Sequence, residues 1–523
     1  MEGRLKNERV SLFALLVLIA FEAGCFYYYG LSRHYNYLSS INDLGHFDQA
    51  IWGFLVGQPF LNTDIFNIPI NRMGLHFDPV LALFVPLYYI APTVKWLILA
   101  QSLALPLAGL PIYFFALRIT QFSSVAFLWA CVYLCSPFLL SAASWDFHPV
   151  ALAVPFIALA YLALVNRKYV LLLISCLFVL LCKEHFGLLV IGFGFLWFYR
   201  HRESKRSAIL ILLGAFHFWF VLKFLMPAFS PSGKHLMISE GLGQLSRYSW
   251  LGSSFEEIIK SLISNPVATA SHVLINMNGW YYLVLLVLPL FFLPILGSAF
   301  LLPGLADIFA NLLSMNPMPR SIFAYHSVTL VPVVVASAIY GSQRTRCFFI
   351  RGMTRKAVWA ALVITLLFSW KSFPFFHLPG GDGFWAPKRV VGFHDENYAR
   401  VQALIPQHMS LSVQANVGAH FTHREQVFKY PDKVNQVDVV LLRLDSPTTL
   451  SSRHDPHAVA SLGHHLQMDP QEYLNSINRL LIDDFYPKKI WLDPWLILMK
   501  GPETSIESDV IEQKLSKLKN EWQ

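Results

Sequence analysis

The sequence contains few charged residues. Only 14% of its 523 residues are charged, whereas an ordinary soluble domain carries about 25%. Hydrophobic residues make up 55% of the chain, and its mean hydropathy is +0.48. A single water-soluble core cannot bury so many apolar side chains, so lipid must cover part of them. The composition therefore predicts an integral membrane protein.

Cysteine is also scarce, and the common catalytic motifs are missing. The six cysteines all lie in or beside apolar runs, so the sequence predicts neither a disulfide framework nor a CxxC zinc site. No GxGxxG, P-loop, GxSxG or HExxH motif occurs in a credible context, which disfavours nucleotide-driven and zinc-protease chemistry. The net charge of +8 comes from basic residues in short loops, so nucleic acid is not an expected partner.

Eleven apolar runs approach the length of about 20 residues that a bilayer span needs. They begin near Val10, Trp96, Gln121, Pro149, Tyr169, His185, Ala208, Tyr281, Leu296, Ser327 and Ala357. With a cytoplasmic N-terminus, the inside connections contain Arg118, Arg167-Lys168, Arg200 to Arg206 and Arg344 to Lys356. Their positive charge supports this orientation. The shorter run Asp78 to Ala91 is predicted to be an interfacial or re-entrant helix.

These patterns predict an all-α polytopic membrane domain over residues 1–371, with a long first external loop at 31–95. Residues 372–523 are polar, and we expect them to form a small extracytoplasmic α/β domain. Its strand-like stretches are 411–414, 437–443 and, more weakly, 489–492. Its predicted helices are Pro470 to Asp484 and a charged helix from Ser505. The basic inside loops predict that the N-terminus is cytoplasmic and that this C-terminal domain lies outside.

Ionisable residues gather at the predicted external ends of the spans. They occur in Asp43 to Gln49, Arg72 to Asp78, Trp145 to Pro149, Lys183 to His185, and Arg320 to His326. Charges near membrane depth cost a few kcal/mol each, so their recurrence favours a functional site. Structural roles are open for each, because Asp43 and Asp48 can cap or solvate an interfacial helix, Asp146 can be an N-cap, and Lys183 can pair with Glu184.

A set of acids, imidazoles and cations on one face can catalyse group transfer. A carboxylate in the first loop can accept a proton from an attacking hydroxyl. Histidines and a second carboxylate can hold a divalent metal or orient the base. Arginine or lysine can neutralise a leaving phosphate. We expect Asp43, Asp146, Glu184 and His326 to meet in one wet cavity at the outer boundary of the membrane.

Six strings occur in order along the chain: DLGHFDQAIW (43–52), HFDPVLAL (76–83), DFHPVALAVPF (146–156), CKEHFGLLV (182–190), YHSVTLVP (325–332) and NVGAHFTHR (416–424). Over residues 43–444 they resemble the prokaryotic membrane-protein family called domain of unknown function 2079. That family is grouped with the GT-C glycosyltransferases. The resemblance implies a polyprenyl-phosphate-linked sugar donor, an envelope acceptor, and an external active site with an essential acid in the first loop.

The resemblance and the chemistry together assign the site residues. Asp43 resembles the first-loop acid and Asp146 the second acid. The catalytic candidates are Asp43, Asp146 and Asp48; the donor-phosphate candidates are Arg72, Lys183 and Arg320; the supporting candidates are His46, His76, His148, Glu184 and His326. A divalent metal, if one binds, is assigned to Asp43, Asp146 and His148. The acidic pair of the superfamily is adjacent, whereas Leu44 follows Asp43 here, which puts joint metal coordination by Asp43 and Asp48 in doubt.

Two further functions fit the sequence. A lipid or solute transporter, or a flippase, would place polar residues deep within several spans, whereas here only isolated residues such as His217 and Asp307 lie in apolar runs. A non-catalytic scaffold would use the C-terminal domain to bind sugar, with His420, His423 and Arg424 as ligand contacts. These three residues are equally consistent with a solvated surface.

Overall fold

The computed structural model describes residues 2–63, 65, 67–234, 236, 244–322, 324–348, 353–372, 395–446, 462–503 and 508–522. The chain divides into two compact units. The first unit comprises Met1–Tyr27, Met73–Val80 and Leu99–Asp382. The second comprises Tyr28–Arg72, Leu81–Ile98 and Gly383–Gln523. The second unit thus combines most of the predicted first loop with the C-terminal segment.

The described part of the first unit is helical. The first helix of the chain, Glu2–Tyr35, begins in it, and Lys95–Leu107 enters it from the second unit. The other α-helices are Gly109–Thr120, Ser123–Leu134, Pro137–Ser144, Val150–Val165, Tyr169–Leu180, Phe186–His201, Ser204–Phe220, Met226–Ala228, Phe255–Ser264, Pro266–Ser271, Gly279–Val287, Leu293–Leu296, Leu305–Leu313, Leu330–Phe348 and Met353–Ser372. Aromatic and branched aliphatic side chains fill the core between them.

Within the described residues, three helical segments are long and apolar enough to cross a membrane: Asn7–Tyr35, Lys95–Thr120 and Ser204–Ala228. Two bent helix pairs raise this number to five if each pair is one span. They are Ser123–Leu134 with Pro137–Ser144 and Glu256–Ser264 with Pro266–Asn276, bent by 45° and 96°. Proline begins the second helix of each pair, where its missing N–H is tolerated.

The prediction of eleven full spans is therefore not confirmed. Several of the predicted runs form shorter apolar helices, including Val150–Val165 with 16 residues and Tyr169–Leu180 with 12. A helix rises 1.5 Å per residue, so these are shorter than a bilayer core of about 30 Å. Polar residues interrupt the runs, as Lys183, Glu184 and His185 do between Tyr169–Leu180 and Phe186–His201.

Glycines allow the helices Phe186–His201 and Ser204–Phe220 to approach closely. A Cβ atom added to Gly187 would overlap the carbonyl oxygen of Gly214, and one added to Gly214 would overlap the carbonyl oxygen of Gly187. A Cβ atom added to Gly194 would overlap the side chain of Ile211. Small residues at such contacts let the two backbones touch, which is the usual packing of helices in membranes.

Substituting Gly214→Ala is expected to destabilise the protein by about 1–3 kcal/mol, because the new methyl group must push the two helices apart. The measurement is thermal unfolding of the full-length protein in detergent. The matched control is Gly24→Ala, since nothing lies within 4 Å of a Cβ atom at Gly24. Equal unfolding temperatures for the two variants would contradict this account of the packing.

The second unit contains a five-stranded mixed sheet. Its strands are β3 (Leu411–Val413), β4 (Val427–Lys429), β5 (Val439–Arg443), β6 (Lys488–Leu492) and β7 (Trp495–Met499), in the order β4-β3-β5-β7-β6. Strands β4, β3 and β5 are parallel, whereas β7 runs antiparallel to both β5 and β6. The central strand β5 has the sequence VVLLR and is buried on both faces, as its continuous apolar run requires.

Helices cover both faces of this sheet. Val440 and Leu442 face the helices Pro470–Ile482 and Ser508–Trp522. Val439 and Leu441 face the opposite core, to which the helices Tyr398–Leu404 and Ala415–Gly418 contribute. The sheet predicted in this segment is therefore confirmed. Strands β4 and β7 were not predicted, and the residue Ser505, where the last helix was predicted to begin, lies outside the described residues.

The first loop adds short elements to the second unit. A π-helical turn at Ile41–Gly45 leads into the helix His46–Trp52, with the Ser40 hydroxyl accepting a hydrogen bond from the Asn42 N–H. The two-residue strands β1 (Leu61–Asn62) and β2 (Ile70–Asn71) pair antiparallel. The segment Pro79–Ile90 forms a short apolar helix that ends in the α-helix Val85–Ile90.

Candidate functional site

The second unit buries one carboxylate among three partners. The side chain of Asp48, in the helix His46–Trp52, is only 2% exposed. Its Oδ1 accepts a hydrogen bond from the Tyr88 hydroxyl at 2.7 Å, and its Oδ2 accepts one from the Thr422 hydroxyl. Nε2 of His423 lies 2.9 Å from the same Oδ2. The carboxylate thus joins the first loop to the turn after Ala415–Gly418.

These partners keep the carboxylate of Asp48 charged. Burial alone would raise the pKa of Asp48, but the charge of His423 and the hydrogen bonds from its partners outweigh burial and lower this pKa below its usual value. Burial alone would lower the pKa of His423, but Asp48 outweighs burial and raises this pKa above its usual value. Asp48 and His423 therefore form a buried ion pair.

Polar contacts hold the turn that carries His423 in place. Nε2 of Gln49, one residue after Asp48, donates hydrogen bonds to the backbone oxygen of Arg424 at 3.0 Å and to the Thr63 hydroxyl at 2.9 Å. The guanidinium of Arg424 donates to the backbone oxygens of Phe421 and Met409. Arg424 is 4% exposed. It therefore supports the turn from inside, unlike a solvated surface residue.

Aromatic rings flank His423. The indole of Trp52 lies parallel to the imidazole, with 6.0 Å between ring centroids and 8° between planes. The ring of Tyr88 meets it edge-on at 6.4 Å. Nε2 of the imidazole faces Asp48, and 24% of the His423 side chain is exposed. The imidazole is thus held in orientation while one edge stays accessible.

A cavity of about 430 Å³ lies against this ion pair within the second unit. Asp48, Thr422 and His423 form part of its wall. The other lining residues include three basic side chains, those of His34, Lys95 and His420. The rings of His34 and His420 stack at 3.9 Å. A cavity with one buried acid and several cationic or cation-forming groups is suited to an anionic ligand.

The ion pair predicts a pH dependence of stability. The pKa of Asp48 is lower in the folded protein than in the unfolded chain, where it is about 3.9. Asp48 therefore adds to the free energy of unfolding above this pH, and its contribution is lost as the pH falls through the folded pKa. The pKa of His423 is higher in the folded protein than in the unfolded chain, where it is about 6.5. His423 therefore adds to the free energy of unfolding below this pH, and its contribution is lost as the pH rises through the folded pKa. Stability from this pair should therefore be greatest between these limits.

The measurement is the unfolding temperature of the full-length protein against pH. His423→Gln is expected to remove part of the decline on the alkaline side, because glutamine does not titrate. The matched control is His408→Gln, since His408 is exposed, and it should keep the wild-type profile. An alkaline decline of the same size in His423→Gln would contradict the ion pair.

Three other predicted residues lie in the second unit. Asp43, in the π-helical turn, is half-buried. Burial lowers the pKa of His464 below its usual value, and the charge of Asp43 partly opposes this shift. His46 is buried, and its backbone oxygen accepts a hydrogen bond from Asn62. The Arg72 guanidinium lies 4.3 Å from the centre of the Phe47 ring. Among the described residues lining the cavity, Asp48 is present whereas Asp43, His46 and Arg72 are not.

In the first unit, the structure brings the loop around Asp146 close to Tyr325 and His326. His148 stacks on Tyr325 at 3.5 Å, and Tyr325 stacks on His326 at 4.3 Å. Gln101 fixes this loop, because its Oε1 accepts from the His148 N–H and its Nε2 donates to the Trp145 backbone oxygen. Gln101 was not singled out from the sequence, although it and Ser102 are the polar residues in the interior of the apolar helix Lys95–Leu107.

In the first unit, the carboxylate of Glu184 contacts the imidazole of His76. Its Oε1 lies 3.1 Å from Nδ1 of His76, and its Oε2 accepts from the Phe77 N–H. Lys183 directly precedes Glu184 in the chain. The structure thus brings three of the predicted residues together.

Arg320, also in the first unit, contacts the backbone. Its Nη1 donates a hydrogen bond to the Asn311 carbonyl oxygen at 3.1 Å and also contacts that of Ser314, near the end of the helix Leu305–Leu313. These contacts satisfy carbonyl groups that have no partner inside the helix. Nη1 of Arg320 therefore stabilises the C-terminal end of the helix Leu305–Leu313.

The described residues offer no metal site. Within them, no three His, Cys, Asp or Glu side chains are arranged to hold a metal ion. Of the predicted metal ligands, Asp43 lies in the second unit whereas Asp146 and His148 lie in the first, so this ligand set stays a prediction. Nδ1 of His148 instead lies 2.9 Å from the backbone oxygen of Asp146.

Residues 33–467 match the model of the family described as Predicted membrane protein (DUF2079). The chain belongs to this family. Membership, together with the apolar spans, shows that this DUF2079 protein is a membrane protein. No curated protein matches the sequence.

Within the DUF2079 match lie Asp48, Tyr88, Thr422 and His423, so the buried ion pair and its hydrogen-bond donors are part of the family region. From the sequence, Asp48 was one of three catalytic candidates, and His423 stayed open between a sugar-binding contact and a surface residue. The available signal for His423 was the motif NVGAHFTHR, which carries two histidines, a threonine and an arginine.

Proposed function

We propose that the protein is a GT-C-type membrane glycosyltransferase. It transfers a sugar from a polyprenyl-phosphate-linked donor to an acceptor outside the cytoplasm, in the cytoplasmic membrane of a bacterium or archaeon. The N-terminus is cytoplasmic in this proposal. The observation that supports it is the ion pair between Asp48 and His423 on the wall of a cavity rich in basic groups.

His423 is the general base of the proposed reaction. Its Nδ1 removes the proton of an acceptor hydroxyl while the acceptor oxygen forms a bond to the anomeric carbon of the sugar. The bond between that carbon and the phosphate oxygen breaks, and its electron pair leaves with the lipid phosphate. Asp48 is a positioning residue, because it orients the imidazole through Nε2 and stabilises the imidazolium that forms.

The leaving phosphate needs positive charge rather than a proton. Lys95 lies at the cavity and also contacts the ring of Tyr35, with its Nζ 5.6 Å from the ring centre. The stacked imidazoles of His34 and His420 also line this cavity. A charge-assisted contact of this kind stabilises an anion as it develops. Lys95 therefore replaces Arg72 as the phosphate contact proposed in this unit.

The test compares envelope glycans and lipids of a deletion strain with those of its parent by mass spectrometry. The proposal expects a hexose-type mass to be missing from an envelope component in the deletion strain and an unused sugar-lipid to accumulate. The wild-type gene should restore the missing mass, and a gene carrying His423→Gln should not. Unchanged glycan masses in the deletion strain would overturn the proposal.

A transporter or flippase is the second candidate. The observation that favours it is the polar contact inside the first unit between Asp307 and two partners. Asp307 is 9% exposed, its Oδ1 lies 3.5 Å from Nε2 of His185, and its Oδ2 accepts from the Thr329 hydroxyl. The same deletion strain separates the two functions. If the protein is a flippase, its loss should cause an intact lipid to accumulate on one leaflet, and no lipid or glycan should lack a sugar.

A further inference from the structure

One acidic residue in the first helix plays no part in the proposed transfer. Glu22 lies near the middle of the candidate span Asn7–Tyr35, about 20 Å from either end at 1.5 Å per residue. It is the one acid between Val10 and Gly30. An ionisable residue at this depth is costly and is a functional hypothesis by default.

Glu22 lies on the face of the first helix that packs against other helices. Leu15, Ile19 and Phe26 are 0%, 5% and 2% exposed and belong to the core of the first unit. Residues spaced by three or four share one face of a helix, so Glu22 continues this stripe. Phe21, its neighbour in sequence, is 67% exposed and lies on the opposite face.

Among the described residues, no lysine or arginine forms an ion pair with the Glu22 carboxyl. Its Oε2 atom is enclosed and has no hydrogen-bond partner among the described residues. Four titratable groups interact electrostatically with Glu22. They are Cys25 on the same helix, and Cys131, Tyr133 and Cys135 on or next to the helix Ser123–Leu134. All four are weak acids. The hydroxyl of Tyr133 donates to the Leu105 backbone oxygen.

We propose that Glu22 is a proton-binding site inside the membrane domain, holding its proton between the first helix and the helix Ser123–Leu134. An unpaired carboxylate in apolar surroundings loses its hydration without compensation, whereas the neutral acid does not. This site is independent of the proposed sugar transfer. Loss of the proton would place an uncompensated charge in a packed helix interface, so proton binding and the packing of the first helix are linked.

The test uses the full-length protein in membranes and dicyclohexylcarbodiimide, a hydrophobic reagent for protonated carboxyl groups. The carboxyl oxygen adds to the central carbon of the reagent, and the acid proton moves to a nitrogen. The acyl group then shifts to nitrogen, giving a stable N-acylurea. Peptide mass spectrometry is expected to find this adduct on Glu22, and a water-soluble carbodiimide should not produce it.

Two variants control the experiment. Glu22→Gln should lose the adduct, and it should also lose an infrared carbonyl band of a protonated carboxylic acid. Glu8→Gln, near the start of the same helix, should keep both. Absence of the adduct in the wild type, or equal labelling by the water-soluble reagent, would overturn the proposal. Protection of Glu22 by sodium ions would also overturn it, because the site would then bind a metal cation rather than a proton.

Discussion

His423→Gln is expected to reduce sugar transfer by about 10²–10⁴-fold, the usual contribution of a general base. Glutamine keeps an N–H that can donate to Asp48, so the turn should fold, but it cannot accept the proton of the acceptor hydroxyl. The turn is also held by Gln49 and Arg424 independently of the imidazole. The measurement is the initial rate of transfer by the purified protein, with the lipid-linked donor found from the deletion strain.

The matched control is His408→Gln, which changes an exposed histidine of the same unit and should keep the wild-type rate. The pH profile separates a base from a structural residue. Transfer by the wild type should rise as the pH rises through the pKa of His423, because the base acts in its neutral form. Asp48→Asn should move this rise to lower pH, since Asp48 raises that pKa. An unchanged rate in His423→Gln would remove His423 from the mechanism.

Asp48→Ala is expected to destabilise the protein by about 3–5 kcal/mol, because it leaves a buried imidazolium without its partner. It also deprives the Tyr88 and Thr422 hydroxyls of their acceptor. The measurement is the unfolding temperature of the full-length protein in detergent. The control is Asp484→Ala, which removes an exposed carboxylate of the same unit and should have little effect.

A double variant distinguishes the ion pair from simple packing. Replacing both partners, as Asp48→Leu with His423→Leu, should recover much of the stability lost in Asp48→Ala, because neither charge is then buried alone. The double variant should still be inactive in transfer. If Asp48→Ala were as stable as the wild type, the carboxylate would not be the buried, fully paired group described here.

The sequence predicted the sheet better than the number of spans. Alternating and continuous apolar runs identify β3, β5 and β6 at nearly their observed positions, because burial of a strand leaves this pattern directly. Strand β4 has only three residues, too few for a pattern. The eleven spans are not confirmed, because apolar composition does not show where a helix bends or ends, as happens at Pro137 and Pro266 in the described residues.

The candidate site was only partly predictable. Asp48 appears in a first-loop motif with several polar residues, and this pattern made it a catalytic candidate. Its partners Tyr88 and Thr422 lie 40 and 374 residues away, and nothing local in sequence pairs a loop acid with them. Glu22 was available to sequence reasoning, as the acid in the first apolar run, but its position on the packed face of the helix needed the structure.

The sequence by itself determined that this is a membrane protein with an apolar N-terminal helix and a C-terminal α/β segment, because solvent preference acts on each stretch of chain separately. Only the tertiary structure decided that Asp48 is the buried acid paired with His423 and that Lys95 lies at the same cavity. Such pairings depend on which distant segments pack together. That packing depends on the summed contacts of the whole unit rather than on the residues at the site.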